Sequence, residues 1–207
     1  MPGRLITIEG IDGAGKSTLA VALHDALRRE GAPVLLLREP GGVALSERLR
    51  AVVKDPALRV DAAAEALIYA AARAQLVVER LRPALDAGEW VLLDRFVDSS
   101  LAYQGAGRGL GIATVRAVND LATGGLEPDR TLLLRIDPTT GRARQGVRGE
   151  SADRLEQEPD AFFATIAHAY DELAAAEPDR FRVLDASRGP HEVLQAALGA
   201  LADLPRT

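Results

Sequence analysis

The 207-residue chain contains no cysteine, which excludes a disulfide framework, a thiolate metal site and a cysteine nucleophile. Its three histidines, His24, His168 and His191, lie far apart, so a multi-histidine metal site is not expected. Lysine is scarce: only Lys16 and Lys54 stand among the 25 basic residues, and neither sits in an N-K-x-D guanine-recognition motif. No apolar run is long enough to span a bilayer, since the best one, residues 62–78, is broken by Glu65 and Arg73. Met1 to Arg4 leads into LITIEG with no signal-peptide core, so the cytoplasm is the expected compartment. Linkers, low-complexity tails and internal repeats are lacking as well. The net charge of −5 argues against a surface that coats nucleic acid, so any anionic partner must meet a local cluster of positive charge.

The residues present are 47% apolar and 27% charged, enough for one well-packed domain. Strand and helix patterns alternate along it. Arg4–Glu9, Val34–Leu37, Trp90–Leu93, Arg130–Ile136 and Arg182–Leu184 read as short buried strands. Helical stripes follow over Ser17–Glu30, Ala44–Val53, Asp61 to about Ala87 with a possible kink at Pro83, Thr114–Ala122, a short stretch after Pro138, Asp160–Ala176 and Pro190–Leu201. This alternation predicts an α/β fold with a five-stranded parallel sheet flanked by helices. Ligands of such folds sit beyond the carboxyl ends of the strands, and there the sequence places its polar segments: GIDGAGKS, REPGG, DRFVDSS, IDPTTGRAR and DASRG.

The strongest signal is Gly10-Ile11-Asp12-Gly13-Ala14-Gly15-Lys16-Ser17, followed by Thr18, which fits the phosphate-binding pattern G-x-x-x-x-G-K-[ST]. Glycines let consecutive N–H groups converge on a phosphate, and the next helix starts with its positive end there. Lys16 supplies mobile charge to the β- and γ-phosphates of ATP, and the Ser17 hydroxyl is a candidate Mg²⁺ ligand. The competing view is a glycine-rich turn before a helix, and the strand–loop–helix context weighs against it. Strand three ends in Asp94-Arg95-Phe96, not in the paired acids of a mechanical ATPase. Arginine at that point favours an anionic acceptor, because its fork binds phosphate through two bonds.

Together these residues resemble the thymidylate kinase (dTMP kinase) family of bacterial type. The resemblance rests on IEGIDGAGKST at 8–18, REPGG at 38–42, YAAAR at 69–73, DRF at 94–96, SSLAYQG at 99–105 and an arginine-rich stretch leading into DRLEQE at 153–158. It implies a three-layer P-loop nucleoside monophosphate kinase fold. It also implies one domain over 1–207, with a mobile lid at about 142–154. The implied reaction moves the γ-phosphoryl group of ATP to dTMP with Mg²⁺, in a homodimer that needs neither membrane nor nucleic acid. By the same resemblance Asp12 approaches the acceptor sugar and orients Arg95; Arg38 holds the acceptor phosphate; Tyr69 stacks on the base; Arg73 reaches a base carbonyl. Asp94 organises Mg²⁺ or Arg95, and Arg95 bridges the two phosphates. Ser100, Tyr103 and Gln104 line the base and sugar pocket. Taken singly, several of these have plainer readings: a turn-forming Asp12, a solvated Arg38, a core Tyr69 beside a surface Arg73, and a packing Tyr103.

Arg142, Arg144, Arg148 and Arg154 stand out in an acidic chain. An isolated charge run is usually a solvated face. Here Gly13 occupies the place where some family members carry a loop arginine, so the lid is the available source of positive charge, with Arg148 first and Arg144 second. The loop Asp185–Arg188 sits where related kinases hold adenine. The stripe 66, 67, 70, 74, 77, 78, 81 and 85 on the long helix is wide enough for both core and partner. Rival readings are a kinase for another nucleoside monophosphate, a P-loop ATPase switch and a catalytically silent relative.

Overall fold

A computed structural model describes residues 3–146 and 153–204. Five parallel strands, β1 (Arg4–Glu9), β2 (Val34–Arg38), β3 (Trp90–Asp94), β4 (Arg130–Arg135) and β5 (Phe181–Asp185), form one sheet in the order β2–β3–β1–β4–β5. Side chains alternate across it. Leu5, Val91 and Leu93 enter a core with Leu76, Leu81 and Phe96, while Ile6, Ile8, Trp90 and Leu92 enter a larger one with Leu23, Leu27 and Ile166. Apolar residues on both faces are what a parallel sheet covered by helices requires.

The flanking helices are α1 (Lys16–Arg29), α2 (Ala44–Lys54), α3 (Ala62–Leu76), α4 (Arg82–Asp86), α5 (Val97–Ser100), α6 (Ile112–Thr123), α7 (Pro138–Gly146), α8 (Asp160–Ala176) and α9 (Pro190–Ala200). The expected strands are present to within a residue or two at each end. Asp61 caps α3 as expected, its carboxylate accepting from Ala63 N at 2.9 Å. The long helix is continuous in space, but a π-helical segment, Val77–Leu81, joins α3 to α4. The disturbance therefore precedes Pro83, within the stretch where a missing N–H loosens the ladder. A second π-helical segment, Leu101–Gly107, extends α5 and has no counterpart in the sequence-based prediction. Among the described residues no helix is long and apolar enough to cross a membrane.

From β1 the chain crosses to β2, and from β3 it crosses the other way to β4. The carboxyl ends of β1 and β3 therefore feed loops in opposite directions, which opens a crevice between them. Register levels the three strand ends: Asp94 lies beside Ile8 of β1 and beside Arg38 of β2.

Candidate active site

The loop between β1 and α1 turns on Gly10, Gly13 and Gly15, all at positive φ. A Cβ on Gly13 would lie 2.0 Å from the Gly141 carbonyl oxygen of α7, so the loop meets that helix backbone to backbone. The same contact bars an arginine from position 13 in this arrangement. A Cβ on Gly15 would meet nothing within 4 Å. Gly13→Ala adds a collision to the about 1–2 kcal/mol of left-handed strain that both positions impose. Thermal unfolding should therefore show a larger loss of Tm for Gly13→Ala than for Gly15→Ala; equal losses would mean the loop and α7 separate freely.

Lys16 opens α1 and is buried, its Nζ donating to the Ile11 carbonyl at 2.9 Å. Burial, reinforced by the nearby positive charge of Arg95, lowers its pKa from 10.5 to about 8. The Ser17 hydroxyl donates to Asp94 Oδ2 at 2.7 Å, joining the loop to the end of β3. Thr18 is exposed in the first helical turn and does not line the cavity. Gly10 and Ile11 line a neighbouring groove that reaches Asp185 and Ser187.

Arg95 follows β3 with φ 71, a left-handed conformation that costs a non-glycine residue about 1 kcal/mol or more. Four acceptors hold it: Asp12 Oδ1 at 2.5 Å, Ser99 Oγ at 3.0 Å, Tyr103 Oη at 3.1 Å and the Gly10 carbonyl at 3.2 Å. The guanidinium also lies 4.9 Å from the Tyr103 ring centre. Tyr103 donates to Asp12 Oδ2 at 2.8 Å. Burial opposes the charge on Asp12, but Arg95, Lys16 and the Tyr103 hydroxyl outweigh it and hold the carboxyl well below its usual range. Glu9, wholly buried at the end of β1, anchors the start of α5. It accepts from Phe96 N at 2.7 Å, Ser99 Oγ at 2.5 Å and the Tyr170 hydroxyl at 2.8 Å. Sequence reasoning gave Glu9 no role, although it opens the stretch EGIDGAGKST.

Of these groups, Asp12, Lys16, Ser17, Asp94, Arg95 and Tyr103 line a cleft that opens to solvent. Tyr69 and Arg73, one turn apart on α3, line the same cleft. Arg73 is 2% exposed, so the surface reading is excluded. It donates to Glu39 Oε2 at 2.7 Å, Ser100 Oγ at 3.0 Å, the Phe96 carbonyl at 2.9 Å and Asn119 Oδ1. Glu39 Oε1 is buried with no partner among the described residues, and burial raises that carboxyl to about 7 against the pull of Arg73. Burial, with the charge of Glu65 behind it, also raises the pKa of Tyr69. Gln104 is buried at the cleft wall and tied to Glu65.

At the cleft rim Arg38 is half-exposed, gripped by both oxygens of Glu47 at 3.0 and 3.1 Å. Arg50, Lys54, Asp153 and Glu156 also line the cleft, and none was a candidate from sequence. Arg50 stands one helical turn beyond Glu47 on α2, a spacing that could have flagged it. It donates to the Pro40 carbonyl at 2.9 Å, and burial with Arg38 nearby lowers its pKa.

The arginine run does not act as one cluster. Arg142 donates to the Glu158 carbonyl at 2.9 Å and pairs with Asp160, Arg144 donates to the Ala186 carbonyl at 2.9 Å, and Arg154 pairs with Glu65 at 2.6 Å. Arg144 thus rests on the loop after β5. Arg148 lies outside the described residues.

The thymidylate kinase family model matches residues 8–197. The chain is 50% identical over 198 residues to the thymidylate kinase of Deinococcus radiodurans, covering 96% of this chain and 95% of that protein. It is 48% identical over 204 residues to that of Halorhodospira halophila, covering 98% and 95%. The crystal structure of thymidylate kinase from Ehrlichia chaffeensis superposes with a TM-score of 0.79 at 28% identity, over 97% of this chain and 99% of that one.

The chain belongs to the thymidylate kinase family. The match agrees with the resemblance drawn from the motifs, and the thymidylate kinase fold accounts for the strand order and for the cleft at the ends of β1, β2 and β3. Among the described residues no group of three or more His, Asp or Glu could cage a metal. The Ser17–Asp94 pair still suits Mg²⁺, which prefers a few hard oxygens and fills its remaining positions with phosphate and water.

Proposed function

We propose that the protein transfers the γ-phosphoryl group of ATP to dTMP, giving dTDP and ADP, in the cytoplasm. One observation carries the reading: a single arginine, Arg95, is locked to the phosphate loop through Asp12 and Gly10 and to the acceptor cleft through Tyr103. A switch ATPase has no use for a cleft that continues from the phosphate loop past that arginine to Tyr69, Arg73 and Gln104.

The acceptor phosphate is already anionic near neutral pH, so no general base is required. Catalysis then consists of positioning and charge neutralisation. The loop N–H groups and Lys16 hold the donor phosphates. Arg38 and Arg50, two guanidiniums at one rim, hold the acceptor phosphate. Arg95 spans the gap. Tyr69 stacks on the base, and Tyr103 packs against the sugar. Ser17 and Asp94 would hold Mg²⁺, which would neutralise charge on the donor phosphates. The stretch at about 142–154 serves as a lid over the donor; Arg148 is its first candidate for the γ-phosphate, and Arg144, the second, would have to leave the Ala186 carbonyl to reach it.

ADP release measured with and without each nucleoside monophosphate tests the assignment. Release should depend on dTMP, with dUMP used at roughly 10–200-fold lower efficiency for want of one methyl group. Acceptor-independent release, or preference for AMP or CMP, would overturn it.

The proposed assembly is a homodimer across α3. The stripe expected there divides: Ala66, Ala70, Val77 and Leu81 are buried in the core, while Leu67 and Val78 are 57% and 66% exposed. Light scattering at micromolar concentration should give twice the chain mass, and Leu67→Glu should halve it; a monomeric wild type would refute the assembly.

A further inference from the structure

Glu65 is fully buried in α3, beside the cleft rather than in its wall, and no step of the reaction above uses it. Four donors converge on its two oxygens. Gln104 Nε2 reaches Oε1 at 2.8 Å and Arg108 Nε reaches it at 3.3 Å, while Arg154 and Arg108 reach Oε2 at 2.6 and 3.1 Å. A carboxylate oxygen only accepts, so the end of the Gln104 amide that faces it must be the NH₂. The carbonyl end, Oε1, is then the free end at the cleft wall, and among the described residues nothing donates to it.

We infer that Glu65 is a positioning residue for base selectivity: it fixes the Gln104 amide so that an acceptor, not a donor, meets the base. The inference rests on the dTMP reading of the cleft. A pyrimidine with N3–H, such as thymine, matches that acceptor. Cytosine presents a lone pair at N3 and meets it with repulsion. The neighbouring groups agree with this polarity. Ser100 Oγ accepts from Arg73, which leaves its own O–H free to donate to a base carbonyl. Two arginines on Glu65 keep its oxygens bonded whether or not a base is bound, so the amide is oriented before substrate arrives.

Glu65→Gln reverses the logic at nearly constant shape. With its carbonyl turned to Arg154 and to Arg108 Nη2, the new amide gives up the 3.3 Å contact from Arg108 Nε and offers its NH₂ to Gln104, which must then rotate and present a donor to the base. The test compares kcat/KM for dTMP and 5-methyl-dCMP, which differ only along the N3–C4 edge. The dTMP preference should fall about 10–100-fold in Glu65→Gln, the range set by one mismatched buried hydrogen bond. Glu65→Asp, which keeps a carboxylate, should retain the preference even if both rates drop. Equal losses for both substrates in Glu65→Gln, or the same change of preference in Glu65→Asp, would overturn the inference and leave a structural role only. If Glu65→Gln does not fold, a crystal structure of the wild type with dTMP decides. Base N3 within hydrogen-bond distance of Gln104 Oε1, with Nε2 still on Glu65, supports the inference; N3 out of reach of Gln104 overturns it. Wild-type turnover in the same series separates the two levels. No reaction with dTMP defeats the acceptor reading itself, whereas normal turnover with an unchanged preference in Glu65→Gln defeats only the role of Glu65.

Discussion

Arg95→Ala should lower kcat on the order of 10³–10⁵-fold, the scale of an arginine that steadies charge in phosphoryl transfer. The size of the effect follows from how the side chain is held. Asp12, Ser99, Tyr103 and the Gly10 carbonyl fix the guanidinium at the junction of loop and cleft, and the backbone accepts a left-handed conformation to put it there. A group fixed in advance pays no reorganisation when charge spreads over the moving phosphoryl group. Arg95→Lys should recover little of the loss, because one ammonium cannot replace a planar fork that serves several oxygens. Steady-state kinetics with dTMP and ATP varied separately measures the effect. A variant that kept kcat and raised only the KM for dTMP would reduce Arg95 to a ground-state phosphate contact.

Lys16→Ala should lower kcat on the order of 10²–10³-fold or more, since the loop would retain its N–H groups but lose its one cationic side chain. The free protein holds that charge weakly, with a pKa of about 8 caused by burial and by Arg95. ATP brings negative charge and favours the protonated lysine. Affinity for ATP should therefore fall as pH rises through about 8, and binding at pH 9 should take up a proton. Calorimetry in buffers of different ionisation enthalpy reads this directly: the apparent binding enthalpy should depend on the buffer at pH 9 and much less at pH 7. Lys16→Ala should lose the dependence. Buffer dependence that survived the substitution would place the titrating group elsewhere.

The sheet was legible because its signals are local: short apolar runs flanked by polar or turn residues, and the glycine-rich loop that must join a strand to a helix. The Val97–Gly107 helix was not, because Gly105 and Gly107 lower its local helix propensity. Their reason is packing. A Cβ on Gly107 would lie 2.7 Å from the Phe162 ring, and one on Gly105 3.0 Å from Ile112. Tyr69 and Arg73 were legible as a pair through helical spacing, but the burial of Arg73 was not, since its partners Glu39, Ser100 and Asn119 come from three distant segments. Sequence grouped Arg142, Arg144 and Arg154 by proximity along the chain, whereas the fold sends them to separate acceptors. Charge type is written in the sequence; the identity of the partner is a property of the fold. Glu65 shows the same gap from the other side, as one acid in an alanine-rich stripe whose three partners lie 39, 43 and 89 residues away.

The central claim is that one loop holds the donor phosphates and Arg95 links them to the acceptor. A crystal structure with a bisubstrate analogue, adenosine and thymidine joined through a polyphosphate chain, tests it most directly. The account predicts phosphates inside the Gly10–Ser17 turn, Lys16 Nζ moved from the Ile11 carbonyl onto a phosphate oxygen, Arg95 between the donor and acceptor ends, and the thymine ring against Tyr69. A chain bound elsewhere, with Lys16 still on Ile11 and Arg95 touching no phosphate, would contradict it.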